Sequence, residues 1–502
     1  MGLADYFERD AQAASQVVAG FDRDAFARHV GSLEVGISFG ADTVERTEGA
    51  SLLDLVIRLL ARFYPHLAIR GPDESSVSRA GELATRVNPK IDISTTSRPA
   101  AGIVIGRAAT GFEEPIFAGS SAWVGAVSSR TMQPVGDSAL PIGAGIAASL
   151  AAARLFGRVV LGSDRPAGEE FFSGWTMRPA RGASGGPSVL ERLGELASPV
   201  ALAGAGAIGN AAAWALARVP ARGQIVIVDP ESIELSNVQR YVLMVRSDEG
   251  KEKAPIVAAT FNGQMGAAAF VGTWGDYVPT VGHAVQAVIV GLDSAQDRRG
   301  VQASLPGWVA NAWTQPGDIG LSVHAPFGAA GACLACLYTP SDRGQNEDQV
   351  YASALQIPGR LMEVRTMLQR DTPLSMEFLR AVAAGLGRDA ELLLPFEGGS
   401  IRDLYIRGIC GGAVLPLGST GTARSDVHVP LAFQSVLAGV LLAASLVRHV
   451  QGGDPATTEV TQFDLLAALP ALPTRPALAR EACFCRDRDY VAVFRRKTAL
   501  SR

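Results

Sequence analysis

The chain has 502 residues, of which 48% are hydrophobic and 19% are charged, and its formal net charge is -4. A chain of this length is expected to form two or more domains around separate cores. The small acidic excess argues against a nucleic-acid-binding protein, because no surplus of Lys and Arg is available to neutralise phosphates.

The sequence at the N-terminus, MGLADYFERDAQAASQ, is charged and lacks the apolar core of a secretory signal. The most apolar stretch, residues 436–447, is too short to cross a bilayer comfortably, so we predict a core helix there. Together these features predict a cytoplasmic protein with no membrane partner.

Residues 1–177 are expected to form an α/β half of their own. Residues 51–67 have the hydrophobic period of a helix, and residues 101–106 are typical of a short buried strand. This half contains no glycine-rich phosphate loop. The stretch at residues 178–188 is rich in Gly, Pro and Ser and is predicted to be a linker to the second half.

Two predicted helices, at residues 141–160 and 430–450, resemble each other. Each begins at a proline, continues with small apolar residues and ends near a basic residue. This similarity is consistent with two related halves, of which the first has lost its nucleotide loop. It is equally consistent with two alanine-rich core helices that share only their composition.

The second half opens with VALAGAGAIGNAAAWALA, in which a buried strand precedes Gly204-x-Gly206-x-x-Gly209 and an alanine-rich helix. Such a loop binds phosphates through backbone N–H groups at a helix N-terminus. Two later apolar strands end at Asp229 and Asp293. Continuous apolar strands that alternate with helices predict a doubly wound parallel sheet, whose ligands bind at the carboxyl ends of the strands.

The residues that follow Asp229 favour ATP over a dinucleotide. Asp229 itself suits the ribose hydroxyls of either ligand. Asn237 and Arg240 come next, and Lys253 begins a further helix. An Arg and a Lys that converge here would neutralise a triphosphate and a leaving pyrophosphate. Asp293 could hold Mg²⁺ together with phosphate oxygens.

The five cysteines form two close pairs and one single residue. The pairs, Cys333-x-x-Cys336 and Cys483-x-Cys485, make up the ligand set of a closed tetrahedral zinc site. The alternative is two reduced pairs without a metal. Cys410 is left over in GICGGAV, where the flanking glycines favour a loop with a reactive thiol over a small buried hydrophobe.

The motifs GAGAIGN, VDPESIELSNVQR, GKEKA and VGLDS, in this order and spacing, resemble the E1-like adenylyltransferases, a family that includes ThiF, MoeB and the ubiquitin-activating enzymes. The resemblance implies a Rossmann-like doubly wound adenylation domain over residues 189–502, preceded by a degenerate, inactive-adenylation-like α/β half. It also implies ATP and Mg²⁺ as ligands. The residues that the resemblance assigns to this site are Gly204, Gly206, Gly209, Asn210, Asp229, Asn237, Arg240, Lys253 and Asp293.

The resemblance further assigns a role to each of these polar residues. It implies that Asp229 binds the ribose, that Asn237 is a further polar contact, and that Asp293 binds Mg²⁺. Arg240 and Lys253 would contact the phosphates and act in catalysis.

The resemblance also covers the cysteines. In the family two Cys pairs bind structural Zn²⁺, although the C-x-C spacing of the second pair here departs from the usual C-x-x-C. Family members that form a thioester carry their nucleophilic cysteine where Cys410 stands, before a long apolar helix. The predicted helical insertion at residues 340–412 resembles the start of the cysteine domain of ubiquitin-type E1 enzymes.

With its degenerate first half, the chain is most similar to the E1 proteins of bacterial operons for ubiquitin-like conjugation, which serve in antiphage defence. This implies adenylation of the C-terminal glycine of a ubiquitin-like protein, a thioester on Cys410 and transfer to an E2-like protein. The chain is expected to act as a monomer or a homodimer. Three alternatives stay open: a sulfur-carrier adenylyltransferase that forms no thioester, an NAD-dependent oxidoreductase, and a pseudoenzyme scaffold.

Overall fold

The computed structural model describes residues 3–163, 168–183, 193–195, 199–263, 265–315, 318–339, 347–370, 372–405 and 429–499. The chain divides into two compact units. The larger unit contains residues 1–10, 27–339 and 430–502, and the smaller contains residues 11–26 and 340–429.

The helices and strands of the first half, in chain order, are α1 (Phe7–Ser15), α2 (Arg23–Ser32), β1 (Glu34–Phe39), α3 (Ala41–Glu45), α4 (Thr47–Phe63), β2 (His66–Arg70), α5 (Glu74–Val87), β3 (Asp92–Ser94), β4 (Ala101–Ile105), β5 (Glu114–Ser121), β6 (Val124–Ser128), α6 (Ile142–Val159), β7 (Glu170–Ser173) and β8 (Arg178–Ala180). In the part of the chain that is described, these strands form one sheet with the order β3-β2-β1-β4-β5-β6-β7-β8. From β3 to β5 in this order adjacent strands are parallel, and from β5 to β8 adjacent strands are antiparallel.

The elements of the second half begin with β9 (Leu193–Glu195), β10 (Val200–Ala203), α7 (Ala207–Leu216), β11 (Ala221–Val228), α8 (Leu235–Val238), α9 (Lys253–Ala258), β12 (Met265–Phe270), α10 (Trp274–Thr280), β13 (Ala287–Val290), α11 (Ala295–Ala303), β14 (Trp308–Thr314), β15 (Asp318–Val323) and α12 (Leu334–Tyr338). After the smaller unit they continue with α17 (Ala432–Val450), β16 (Glu459–Asp464), β17 (Thr474–Pro476) and α18 (Arg488–Ala499). The main order of this sheet is β12-β11-β10-β13-β14-β15-β16-β17, and β9 pairs with β11.

The two sheets repeat one topology. In each sheet the third strand of the order, β1 or β10, lies between two parallel neighbours. The last three strands of each order are antiparallel to the strands before them. A long helix follows the sixth strand of each order, α6 in the first half and α17 in the second. Two sheets that share strand order and direction favour related halves over a chance similarity of two alanine-rich helices. The expected fold class, a doubly wound α/β adenylation domain preceded by a degenerate α/β half, is confirmed.

Helices α6 and α17 pack together at the junction of the two halves. Both are long and apolar enough to cross a membrane, but 83% and 89% of their apolar windows are buried inside the fold. Small residues allow this close packing. A Cβ atom on Gly145 of α6 would lie 2.7 Å from the Cγ2 of Val440 in α17. The prediction of a core helix at residues 436–447 is therefore confirmed.

The first residues of the predicted linker are a strand. Arg178–Ala180 forms β8 and pairs antiparallel with β7, so the expectation that residues 178–188 are linker from their first residue is wrong. Because β8 is the last strand of the sheet order, Pro179 can sit there without removing an interior ladder hydrogen bond. Composition alone did not distinguish such an edge strand from a loop.

The smaller unit is helical in its described residues. Its helices after residue 340 are α13 (Glu347–Ala354), α14 (Leu361–Arg370), α15 (Met376–Leu386) and α16 (Ile401–Asp403). Their apolar faces form one core around Phe378, Leu379 and Leu355. Ser375 accepts a hydrogen bond from the Phe378 backbone N–H and so begins α15. Cys410 lies outside the described residues.

Candidate active site

The glycine loop between β10 and α7 is shaped by two positions that have no room for a side chain. Gly204 has a φ of +94° and donates its N–H to the Val228 carbonyl at 2.9 Å. A Cβ atom on Gly209 would lie 2.0 Å from the Gly204 carbonyl oxygen. Gly206 is the N-cap of α7. The loop thus leads directly into a helix N-terminus, the arrangement that binds phosphates.

Asp229 lies one residue after β11 and ties this loop to the next strand. Its Oδ2 accepts a hydrogen bond from the Ala205 N–H at 2.7 Å, and its Oδ1 accepts one from the Glu231 N–H at 2.9 Å. Burial raises the pKa of Asp229, and the two N–H donors and Lys253 offset part of that cost. The carboxylate is held at the strand end where a ribose is expected.

Two of the predicted polar contacts serve the local structure. The Asn210 side chain is fully buried and donates to the carbonyls of Ala205 and Gly206 at 2.7 and 3.2 Å. The Asn237 Oδ1 accepts from the Glu234 N–H at 3.0 Å, in the capping box of α8. In this structure both amides position the loops around the site.

Lys253 and Arg240 both lie close to one aromatic ring. The Lys253 side chain is 4% exposed, forms an ion pair with Glu231 and donates to the Tyr241 hydroxyl at 3.2 Å. The Lys253 Nζ lies 5.2 Å from the Tyr241 ring centroid, and the Arg240 guanidinium carbon lies 5.4 Å from it. Two cations therefore stand within cation–π distance of Tyr241.

Electrostatics keep Lys253 protonated. Burial by itself would lower the pKa of Lys253, but the Tyr241 hydroxyl and the carboxylates of Glu231 and Asp229 outweigh it, and the net shift is upward. Glu231 and Tyr241 were missed by sequence reasoning. Glu231 is visible in the sequence as a second acidic residue two positions after Asp229. Its contact with Lys253 is not, because Lys253 lies 22 positions further along the chain.

Asp293 lies on the same edge of the sheet as Asp229, because β13 and β11 are both parallel neighbours of β10. Asp293 is exposed and immediately precedes Ser294, which caps α11 by accepting from the Asp297 N–H at 2.9 Å. Asp293 itself is therefore not the helix cap and keeps its carboxylate toward solvent. Its position suits a cation ligand beside the phosphate loop.

In the first half an aspartate carboxylate lies beside the loop that follows the central strand. The residue after the central strand is Gly40 there and Gly204 in the second half. Helix α3 follows, and the Asp42 carboxylate accepts from the Arg107 N–H at 3.1 and 3.2 Å. A Cβ atom on Gly106 would lie 2.7 Å from the Asp42 Oδ1. The Asp42 carboxylate therefore occupies space beside this loop, and the first half has no Gly-x-Gly-x-x-Gly sequence after Gly40.

The four paired cysteines come together as the sequence predicts. Their Sγ atoms all lie within 4.8 Å of one another, and all four residues are buried. The distances are 3.8 Å for Cys333–Cys336, 3.6 Å for Cys333–Cys483 and 3.5 Å for Cys336–Cys485. A tetrahedral zinc–thiolate site with bonds of about 2.3 Å requires separations of about 3.8 Å. The cluster fits such a site and leaves no open coordination position.

Fold and site together define an α/β enzyme that binds a nucleotide at the carboxyl edge of a doubly wound sheet. Residues 186–483 match the ThiF family. The chain belongs to this family of adenylyltransferases. Residues 38–161 match prokaryotic E2 family C. That segment contains no cysteine, so it carries no thiol of its own for a thioester.

The chain is also similar to individual proteins. It is 36% identical over 516 residues to a Sinorhizobium fredii protein named uncharacterized protein y4jF, covering 99% of this chain and 97% of the relative. A crystal structure of Escherichia coli MccB with ATP matches 58% of this chain and 67% of its own, at 14% identity and a TM-score of 0.34. MccB with succinimide matches 57% of this chain and 66% of its own, at 14% identity and a TM-score of 0.34.

His324 gives the larger unit a specific pH dependence. It is fully buried, donates from Nδ1 to the Ala332 carbonyl at 2.9 Å and accepts at Nε2 from the Ser322 hydroxyl at 2.9 Å. Burial lowers the pKa of His324 to about 4. The unfolded chain, with a His pKa of about 6.5, takes up the proton first as the pH falls. The free energy of unfolding therefore has its full value above pH ~6.5 and decreases as the pH falls from there to about 4.

We expect His324→Gln to flatten this dependence. In urea unfolding between pH 4.5 and 7.5, the wild type should lose up to ~3 kcal/mol that the variant does not lose, at about 1.4 kcal/mol per pKa unit. His29→Gln is the matched control, because His29 is exposed and should leave the slope unchanged. Parallel curves for wild type and His324→Gln would contradict the assignment.

Proposed function

We propose that this protein is an ATP-dependent activating enzyme that adenylates the C-terminal glycine of a ubiquitin-like protein and then forms a thioester on Cys410. The observation that best supports this proposal is that two cationic side chains lie close to Tyr241. Lys253 and Arg240 stand beside a loop built for phosphates, between a ribose-side carboxylate and the exposed Asp293. An oxidoreductase has no need for two cations at this place.

The proposed adenylation is a displacement at the α-phosphorus of ATP. The glycine carboxylate oxygen attacks, the bond from the α-phosphorus to the bridging oxygen of the β-phosphate breaks, and pyrophosphate leaves. Lys253 and Arg240 stabilise the negative charge that develops on the phosphates. Mg²⁺, held by Asp293 and phosphate oxygens, would supply further charge neutralisation. The Asp229 carboxylate orients the ribose through its hydroxyls.

Glu231 provides a partner for the charged Lys253 ammonium before ATP binds. Its carboxylate is 67% exposed, whereas the Lys253 side chain that it holds is 4% exposed. An arriving triphosphate can take over the ammonium from this exposed partner without leaving a buried charge alone. The exchange costs little, since the cation is paired before and after binding.

Cys410 is the thiol that we assign to the second step. The other four cysteines lie in the buried cluster, and no cysteine precedes Cys333. A thiolate attacks the carbonyl carbon of the acyl-adenylate, AMP leaves and a thioester forms. An E2-like protein would then accept the acyl group on its own thiol. The match of residues 38–161 to a prokaryotic E2 family supports this setting, and we place the reaction in the cytoplasm of a bacterium with an antiphage conjugation operon.

We expect ATP·Mg²⁺ to raise the melting temperature of the purified protein by roughly 5 °C at saturating ligand. Lys253→Ala and Asp293→Ala should each abolish this shift. Lys251→Ala is the matched control, because Lys251 is exposed and pairs with Asp248 at 2.8 Å. A shift with NAD(H) but not with ATP·Mg²⁺ would overturn the proposal in favour of the oxidoreductase alternative.

A second prediction separates adenylation from thioester formation. A ubiquitin-like protein ending in glycine, encoded beside this gene, is incubated with enzyme and ATP·Mg²⁺. Wild type should give pyrophosphate and a covalent adduct that a thiol reductant cleaves. Cys410→Ala should release pyrophosphate without the adduct, and Cys410→Ser should give an adduct that resists the reductant. Pyrophosphate without any adduct in the wild type would support the sulfur-carrier alternative instead.

We further propose that the four-cysteine cluster binds one structural Zn²⁺ per chain. Metal analysis of the purified protein should give a molar ratio of about one, and Cys336→Ser should lose the ion and lower the melting temperature. Cys410→Ser is the matched control, since Cys410 is the one cysteine outside the cluster. A metal-free wild type, or equal zinc loss in both variants, would contradict this assignment.

A further inference from the structure

Helix α4 of the first half presents a row of polar side chains to the second half. Asp54, Arg58 and Arg62 follow one another at four-residue spacing and so share one face of the helix. Asp54 accepts hydrogen bonds from the Trp214 indole N–H at 2.8 Å and from the Arg218 guanidinium at 3.1 Å. This end of the row therefore holds α7, the helix that follows the phosphate loop.

The other end of the row holds the segment that carries the catalytic arginine. Arg62 is 1% exposed, and its guanidinium donates to the Val238 carbonyl at 3.0 Å, to the Tyr241 carbonyl at 2.9 Å and to the Met244 carbonyl at 2.8 Å. Arg58 donates to the Val242 carbonyl at 2.9 Å. Four carbonyls between residues 238 and 244 are thus fixed by two side chains of the other half.

This segment has no regular structure of its own, although its Leu243 N–H donates to the Asn210 Oδ1 at 3.3 Å and its Tyr241 and Met244 side chains are buried. Helix α8 ends at Val238, and the chain from residue 239 to residue 245 contains neither helix nor strand. Yet it carries Arg240 and Tyr241, the residues that frame Lys253. A buried carbonyl without a donor is costly, so the rigid fork of Arg62 decides which conformation this loop adopts.

The charge of Arg62 is retained for this task. Burial lowers the pKa of Arg62 to about 10, which leaves the guanidinium protonated at neutral pH. The neighbouring Tyr6, Asp10 and Asp54 oppose this decrease in pKa, and Arg58 adds to it. A neutral side chain of similar length could not donate to three carbonyls at once.

We propose that Arg62 is a positioning residue of the ATP site: it fixes the loop at residues 238–244 and, through it, sets Arg240 for the phosphates. The first half of the chain is then a working part of the adenylation site. This inference rests on the proposed function, because it assumes that Arg240 contacts the phosphates of ATP.

The test compares binding of ATP and AMP to the full-length protein by isothermal titration calorimetry, with Mg²⁺ present throughout. Arg62→Lys keeps the charge and the aliphatic stem but loses the fork, and we expect it to weaken ATP binding about tenfold or more, as for a catalytic group displaced by ~1 Å. AMP lacks the β- and γ-phosphates that we assign to Arg240, so it should bind within about twofold of wild type. Arg79→Lys is the matched control, because Arg79 is an exposed first-half arginine that donates to Ser75.

A double variant tests the route through Arg240. If Arg62 acts by setting Arg240, Arg62→Lys should weaken ATP binding much less in an Arg240→Ala background than in the wild type. Equal losses for ATP and AMP, additive losses in the double variant, or unchanged ATP binding in folded Arg62→Lys would each overturn the inference. Failure of the wild type to bind ATP at all would instead overturn the proposed function.

Discussion

The Asp229 carboxylate joins the parts of the site into one unit. One oxygen accepts from the glycine loop at Ala205, and the other accepts from Glu231, whose own carboxylate holds Lys253. The glycine loop, the end of β11 and Lys253 are therefore connected through Asp229 and Glu231. Burial raises the pKa of Asp229, so the structure spends free energy to keep a charge here. Such a cost is typical of a group retained for binding.

The two halves share one sheet topology but differ at the loop that follows the central strand. Both halves place a glycine after the central strand, but in the first half the Asp42 carboxylate accepts from the Arg107 N–H and lies close to Gly106. Helix α4 of the same half forms hydrogen bonds to α7 and to the loop at residues 238–244 through its polar side chains. Through α4 the first half therefore contacts the helix and the loop that border the candidate site in the second half.

The sequence predicts those features that depend on local backbone chemistry. Gly204 is recognisable because its φ is positive, and Gly209 because a side chain there would meet the Gly204 carbonyl. The cysteine pairs are recognisable because their close spacing suits a metal site. Arg62 and Glu231 are not recognisable, because their partners lie 176 and 22 positions away. Single charged residues carry no periodic signal, so only the fold reveals what they face.

The distribution of thiols limits what the chain can do after adenylation. Four of the five cysteines form the buried cluster, and the segment that matches an E2 family has none. Under the proposed mechanism an acyl group on Cys410 therefore has no second thiol within the chain to move to, unless the cluster is dismantled. Because a closed tetrahedral zinc site leaves no thiolate free to attack, the next acceptor must be supplied by another protein. Under this proposal residues 38–161, despite their match to an E2 family, do not accept the acyl group, and acyl transfer is an intermolecular step.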